Sequence, residues 1–198
     1  PTAGAFDSSL DDAPFGIDPD LPLNRLAWLT THNAFNNGLL LPNQTHSIQR
    51  QLESGVRGLM LDLHQSGGDI YLCHGTCIGA TQTFASVLED TILPFLRSRP
   101  DAVVTLHLED KVSRAQLSRE LSKVNGVAGL SFDPDAWTTP EWPTYRQLVD
   151  AGQRLLIFAQ KAENSGTVPT SSGPVHVMHD RRYTVENSWS LGKTLFSH

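Results

Sequence analysis

The sequence predicts an α/β fold: a mainly parallel sheet curled into a distorted or incomplete (β/α)8 TIM barrel. Three observations predict it. Short apolar strand patterns alternate with helical periodicities along most of the chain, as right-handed βαβ units require. The polar groups fit for chemistry (His32, Asp62, His74 and Glu109) fall at or just after strand ends, where parallel barrels gather their active groups. No Gly-rich phosphate loop follows the first strand, which argues against a doubly wound open sheet. Six strand patterns can be counted in the 198 residues, fewer than a complete eight-unit barrel needs. Residues 1–198 are expected to form a single domain.

Taken in order, residues 1–23 are rich in Pro, Asp and Gly and read as an irregular segment. Leu26-Ala27-Trp28-Leu29 is the first predicted strand, leading into Thr31-His32-Asn33. A loop at Phe35–Pro42 precedes helical spacing over Thr45–Ser54, with Ile48 and Leu52 on one face. Leu59–Leu63 is the second strand and Ile70–Leu72 a short third. From Thr83 to Leu96, Phe84, Val87, Leu88, Ile92 and Phe95 recur at three- and four-residue steps, an amphipathic helix that Pro94 should bend. Val103–Leu108 is the fourth strand. Ser113 is placed to cap a helix over Ala115–Val124. Tyr145–Val149 reads as helix, Leu155–Phe158 as the fifth strand, Ser165–Pro174 as a polar loop and Val175–Met178 as the sixth strand.

Composition narrows the function classes. The net charge is −6, and the 15 Lys and Arg residues form no basic run, which argues against a nucleic-acid surface. No apolar stretch reaches membrane-spanning length. The chain begins at Pro1, which fits a processed start and leaves the compartment open. Cys73 and Cys77 are the only cysteines; a small-loop disulfide and two buried thiols are equally compatible with composition.

Strand alternation places Met60, Asp62 and His64 on one face of the second strand, and Thr105, His107, Glu109 and Lys111 on one face of the fourth. Two imidazoles can divide a reaction between proton removal and proton donation near neutral pH. Buried carboxylates need a cation or hydrogen bonds. One ion shared by Asn33, Asp62 and Glu109 would meet that need, and an all-oxygen set favours calcium, or magnesium, over zinc. The other histidines (His46, His64, His107, His176, His179 and His198) are expected to be structural. Asn43-Gln44-Thr45 fits a glycosylation acceptor, a triplet common by chance. Trp137 and Trp142, with Pro140 and Pro143, form either an aromatic rim or, more commonly for such clusters, loop packing.

The segments Thr31-His32-Asn33, Gly55-Val56-Arg57-Gly58-Leu59-Met60-Leu61-Asp62, Leu72-Cys73-His74 and Leu108-Glu109-Asp110 resemble the X-region of phosphatidylinositol-specific phospholipase C. Trp142-Pro143, Arg154–Phe158 and Tyr183–Asn187 are similar to its secreted, phospholipase-C-like branch. The resemblance implies a distorted barrel that cleaves a phosphodiester by attack of the inositol 2-hydroxyl. It implies His32 as general base, His74 as general acid, and calcium at Asn33, Asp62 and Glu109. It also favours a Cys73–Cys77 disulfide and an extracellular setting. Lys111 and Arg57 are the cations expected to meet the substrate. Met60 departs from the pattern: metal-dependent members carry a glutamate there, and metal-independent bacterial members an aspartate, with an arginine where this chain has Asp62.

The expected protein is therefore a phospholipase-C-type phosphodiesterase acting on phosphatidylinositol-like lipids, with transient membrane contact and no nucleic-acid partner. Two alternatives stand beside it. Glycerophosphodiester phosphodiesterases and sphingomyelinase-D-like enzymes share the barrel and the paired histidines, but normally carry two acidic residues spaced by one on the second strand. A non-catalytic inositol-phosphate or head-group binding module would explain Met60.

Overall fold

A computed structural model describes residues 10, 13–14, 16–38 and 42–184. Its spine is β2 (Gly58–Ser66). Leu59, Leu61 and Leu63 are fully buried on one face of this strand, and Gly58, Met60, Asp62 and His64 alternate onto the other. Around it run β1 (Thr30–Thr31), β3 (Asp69–Leu72), β4 (Val104–Lys111), β5 (Leu155–Ala159), β6 (Gly166–Val168) and β7 (Val175–His179). The strand order is β1-β2-β4-β5-β7-β6, with β3 also pairing β2.

The β1/β2, β2/β4, β4/β5 and β5/β7 pairs are parallel, as expected. Two edges differ. β3 pairs antiparallel with β2 through the two-residue turn Gly67-Gly68, with φ of 60° and 108°. Such a turn needs positive φ at both positions, which glycine supplies at little steric cost. β6 pairs antiparallel with β7 inside the stretch read from sequence as a polar loop. The first strand is also displaced: Leu26–Leu29 lies outside any strand, Leu29 is 61% exposed, and pairing begins at Thr30. Among the described residues the sheet is mixed and does not close on itself.

The helices between residues 48 and 130 cover the leucine face of β2. Ser47 caps α1 (Ile48–Glu53) by accepting from the Arg50 amide. Thr83 and Ser86 form a reciprocal capping box at α2 (Phe84–Val87). The expected bend at Pro94 takes the form of a π-turn over Leu88–Ile92, followed by α3 (Leu93–Ser98). Pro94 lacks the amide hydrogen that the Asp90 carbonyl would accept in a regular helix, so the backbone widens there. Ser113 caps α4 (Arg114–Leu121) in a box with Gln116. The short α5 (Val127–Leu130) follows, then α6 (Tyr145–Asp150), and α7 (Asp180–Tyr183) ends the described chain.

The opposite face of the sheet is covered at its lower end by side chains from far along the chain. Leu156, Phe158 and Met178 pack with Leu23, Phe132 and Tyr145, with Trp28, Trp137 and Trp142 against them. The Tyr145 hydroxyl accepts from the Val103 amide and donates to the Asp101 carbonyl. Trp142 lies 6.3 Å from Phe132 and 5.9 Å from Tyr183, so the tryptophan-rich segment serves loop packing. This plug leaves the upper half of the face, where the strands end, for the site.

Candidate active site

Both loops carrying the expected acid and base meet beside one residue of β2. β1 runs parallel to β2 and stops level with Leu59; the chain then turns, and the Ala34 amide donates to the Met60 carbonyl. β3 runs back the other way and stops level with Leu63; the Cys73 amide then donates to the Asp62 carbonyl. His32 follows β1 and His74 follows β3, so the two histidines approach Asp62 along one strand edge from opposite directions.

The His32 side of this arrangement depends on close approach and on one glutamine. A Cβ on Gly58 would stand 2.1 Å from the Thr30 hydroxyl oxygen, so only glycine lets β1 pack here. Gln51, buried in α1, accepts from the Thr31 hydroxyl at 2.7 Å and donates to the carbonyls of Ala34 and His46. Gln44 donates to the His32 carbonyl at 2.6 Å. Neither glutamine was singled out from sequence, although Gln51 breaks the apolar face formed by Ile48 and Leu52, and a polar residue in a buried stripe is a signal.

On the His74 side, Cys73 and Cys77 form a disulfide with Cα atoms 5.2 Å apart. His74, Gly75 and Thr76 lie inside this covalent loop.

Asp62 and Glu109 are register partners on adjacent parallel strands. Asp62 is 4% exposed. Burial pushes its carboxyl pKa up and the Glu109 charge adds to the rise, while His74, His32 and His64 pull against it. Those opposing influences place both histidines within electrostatic reach of Asp62. Asp62 Oδ1 and Asn33 Oδ1 are both buried without a hydrogen-bond partner. Asn33 takes a left-handed conformation (φ 46°), and its Nδ2 donates to Asn43 Oδ1, which leaves the amide oxygen unmatched.

Two orphaned oxygens, one of them on the raised-pKa carboxylate of Asp62 itself, with Glu109 in register, fit an oxygen-coordinated divalent cation. Among the described residues no cluster of three or more His, Cys, Asp or Glu side chains is arranged around a metal position. The candidate set is one amide and two carboxylates.

Lys111 lies at the same end of the sheet, its ammonium 3.9 Å from Glu109. Arg57 does not, and here the sequence expectation is corrected. It precedes β2 at the far end, five residues and roughly 16 Å of extended strand from Asp62. Its guanidinium is buried, donates to the carbonyls of Leu52 and Val56, and stacks 5.0 Å from the Phe95 ring centroid. Its role is to hold α1 and α3 to the foot of the sheet.

Several remaining histidines make structural contacts. His176 meets Asp133 at 3.1 Å, His179 lies 3.2 Å from the Gln160 carbonyl, and His107 stacks on Phe158 at 5.0 Å. Burial pushes the His107 pKa down, with Asp180 opposing. His198 and residues 185–187 lie outside the described residues. Asn43, the glycosylation candidate, uses its side-chain oxygen to accept from Asn33 and Asn36.

Two hollows adjoin the site. One is lined by Met60, His107, Glu109, Phe158, Gln160 and Asp180. The other is a wider cleft on the far side of His74, between the loops around residues 35–38 and 72–82. Asp110, quoted from sequence only within the Leu108-Glu109-Asp110 match and given no role there, is buried at the end of β4. It accepts from the Gln160 and Lys161 amides and from Asn164 Nδ2, and so fixes the end of β5 at the first hollow.

This is an α/β scaffold with paired histidines and carboxylates at its strand ends. The PI-PLC X domain family matches residues 23–195, and the chain belongs to that family. It is 36% identical over 202 residues to a PI-PLC X domain-containing protein of Arabidopsis thaliana, covering 88% of this chain and 43% of that protein. It is 27% identical over 140 residues to an uncharacterised secreted protein of Arthroderma benhamiae, covering 67% of this chain and 30% of the relative. The chain thus spans less than half the length of either. Its fold is similar to the phosphatidylinositol-specific phospholipase C of Listeria monocytogenes, with a TM-score of 0.59 at 19% identity, over 83% of this chain and 61% of that one.

Proposed function

We propose that this chain is the X-region of a secreted phospholipase-C-like phosphodiesterase of the barrel type, acting on phosphatidylinositol-like lipids. The carrying observation is the convergence of His32 and His74 on Asp62 from opposite directions along β2. A site for cleaving a phosphodiester needs a base on one side of phosphorus and an acid on the other. His32 takes the proton from the inositol 2-hydroxyl as its oxygen attacks phosphorus. His74 gives a proton to the glycerol oxygen as the phosphorus–oxygen bond to diacylglycerol breaks. The products are a cyclic inositol phosphate and diacylglycerol. Positioned acid–base groups of this kind contribute on the order of 100- to 10,000-fold each. Asn33, Asp62 and Glu109 would hold calcium, which when bound neutralises charge on the phosphoryl oxygens. Lys111 presents a cation at the mouth. The disulfide and the secreted relative support an extracellular setting.

The test is release of cyclic inositol phosphate from phosphatidylinositol vesicles, in calcium or in chelator. His32→Ala and His74→Ala should each lose at least about 100-fold in kcat. Activity unchanged in His32→Ala overturns the mechanism. Met60 favours a second reading, a head-group binding module without turnover. Binding that survives His32→Ala, with no product from the wild type, would select it.

A further inference from the structure

We infer that Asn43 is an N-glycosylation site, carrying an oligosaccharide on its Nδ2 at the rim of the candidate active site. The inference rests on the extracellular setting proposed above and is independent of catalysis. Asn43-Gln44-Thr45 is the only Asn-x-Ser/Thr triplet in the 198 residues, but such a triplet alone carries little. What carries the inference is how the folded chain disposes the two ends of the Asn43 amide.

The oxygen end is committed inward. Asn43 Oδ1 accepts from Asn33 Nδ2 at 3.2 Å and from Asn36 Nδ2 at 2.8 Å. Two amide donors fix the orientation of the group, because turning it over would set its own NH2 against theirs. Nδ2 therefore faces away from both, and it donates to no other group among the described residues. The backbone is tied down beside it: the Asn43 and Gln44 amides both donate to the Asn36 carbonyl at 3.0 Å. Gln44 turns inward and donates to the His32 carbonyl at 2.6 Å, while Asn43 and Thr45 are exposed on either side of it. The Thr45 hydroxyl, the second group the triplet requires, makes no hydrogen bond among the described residues.

A glycan is bulky and hydrophilic, so the fold must leave its root in solvent. Here the root is an exposed nitrogen with no hydrogen bond to lose. The donor is an oligosaccharide linked to a polyprenyl diphosphate. Nδ2 displaces the diphosphate from the anomeric carbon of the first sugar: the nitrogen–carbon bond forms, the carbon–oxygen bond breaks, and one of the two Nδ2 protons is released. The amide oxygen remains an acceptor, so the hold on Asn33 survives the reaction. Asn36, which donates to that same oxygen, lines the cleft beside His74. The glycan is thus rooted one hydrogen bond from the mouth.

The experiment expresses the full coding sequence in plant or fungal cells and recovers the protein from the medium and from the cells. Mass spectrometry then reads the peptide containing Asn43 before and after peptide-N-glycosidase, which removes the oligosaccharide and leaves Asp. The wild-type peptide should carry the oligosaccharide mass and lose it on digestion. Thr45→Ala should abolish it while leaving Asn43 and its contacts in place, and Thr45→Ser should restore it. Unmodified Asn43 on protein from the medium overturns the inference and leaves the phosphodiesterase reading intact. Unmodified Asn43 on protein held in the cytosol overturns the inference together with the extracellular setting. An oligosaccharide that persists in Thr45→Ala overturns the assignment to this triplet.

Discussion

Asp62 shows how one residue ties together stability and chemistry. Its folded pKa is raised above the ordinary 3.8, chiefly by burial and then by Glu109. The folded chain therefore holds this proton more tightly than the unfolded chain does. The associated stability is full below the ordinary carboxylate range and is lost as pH rises through the folded pKa. In chelator, Asp62→Asn should be more stable than the wild type at pH 7, with the gap closing as pH falls below 3.8. Thermal melts across pH measure it; a variant less stable than the wild type at pH 7 would contradict the account. The same variant should lose phosphodiesterase activity. Gly58 gives a second residue-scale prediction. Gly58→Ala drives a methyl group into Thr30 and should cost about 1–3 kcal/mol, the range for overpacking a tight contact. His32 is carried by the strand so displaced, so kcat should fall even where the variant remains folded. Urea midpoints and turnover test the two effects separately.

At the scale of elements, the helices and buried strands were legible because their signals are local. The Ile48–Leu52 spacing, Ser113 and the Phe84–Phe95 periodicity place three helical segments close to where they stand. The edges were less legible because an edge strand is defined by its partner. Thr30–Thr31 carries almost no apolar pattern and pairs only because Gly58 allows contact, whereas the apolar Leu26–Leu29 beside it stays outside the sheet. Gly166–Val168 is polar and one-sided, so it reads as loop. Gly67-Gly68 did encode the β2–β3 hairpin, and with it the route that returns His74 to Asp62. Of the candidate site, the histidines and carboxylates were readable as strand-end groups, but Arg57 was misread: it has the parity of Leu59 and Leu61 rather than of Asp62, and it stands at the end of the strand away from the mouth. Gln51 acts between elements, joining α1 to β1 and to the turn after it. Gln51→Leu keeps the volume and leaves the Ala34 and His46 carbonyls without their donor. Each unpaired buried acceptor costs about 1–3 kcal/mol, so the variant should lose at least that much by urea denaturation. Hydrogen exchange should quicken first in residues 31–37, and uniform quickening over the whole sheet would argue against a local role.

For the whole molecule, the question is what holds together a mixed sheet that is open among the described residues. The lower half of its inner face is filled by Leu23, Tyr145, Trp28 and Trp142. The upper half instead holds Asp62 against Glu109, with unmatched oxygens on Asp62 and Asn33. These groups come from the loop after β1, from β2 and from β4, so a cation there would join three adjacent parts of the sheet that now repel or leave one another unsatisfied. Calcium should consequently stabilise the fold by mass action. At a free concentration 100-fold above Kd the gain is about 2.7 kcal/mol, which for a domain of this size corresponds to a rise in Tm of roughly 5–10 °C. His32→Ala should keep the shift, since no imidazole belongs to the ligand set, while Asp62→Asn should abolish it. Magnesium, which prefers smaller octahedral sites and parts with water reluctantly, should give a smaller shift. A Tm indifferent to calcium in the wild type would remove the ion from the mechanism and leave the two histidines and Asp62 to act on the phosphodiester alone.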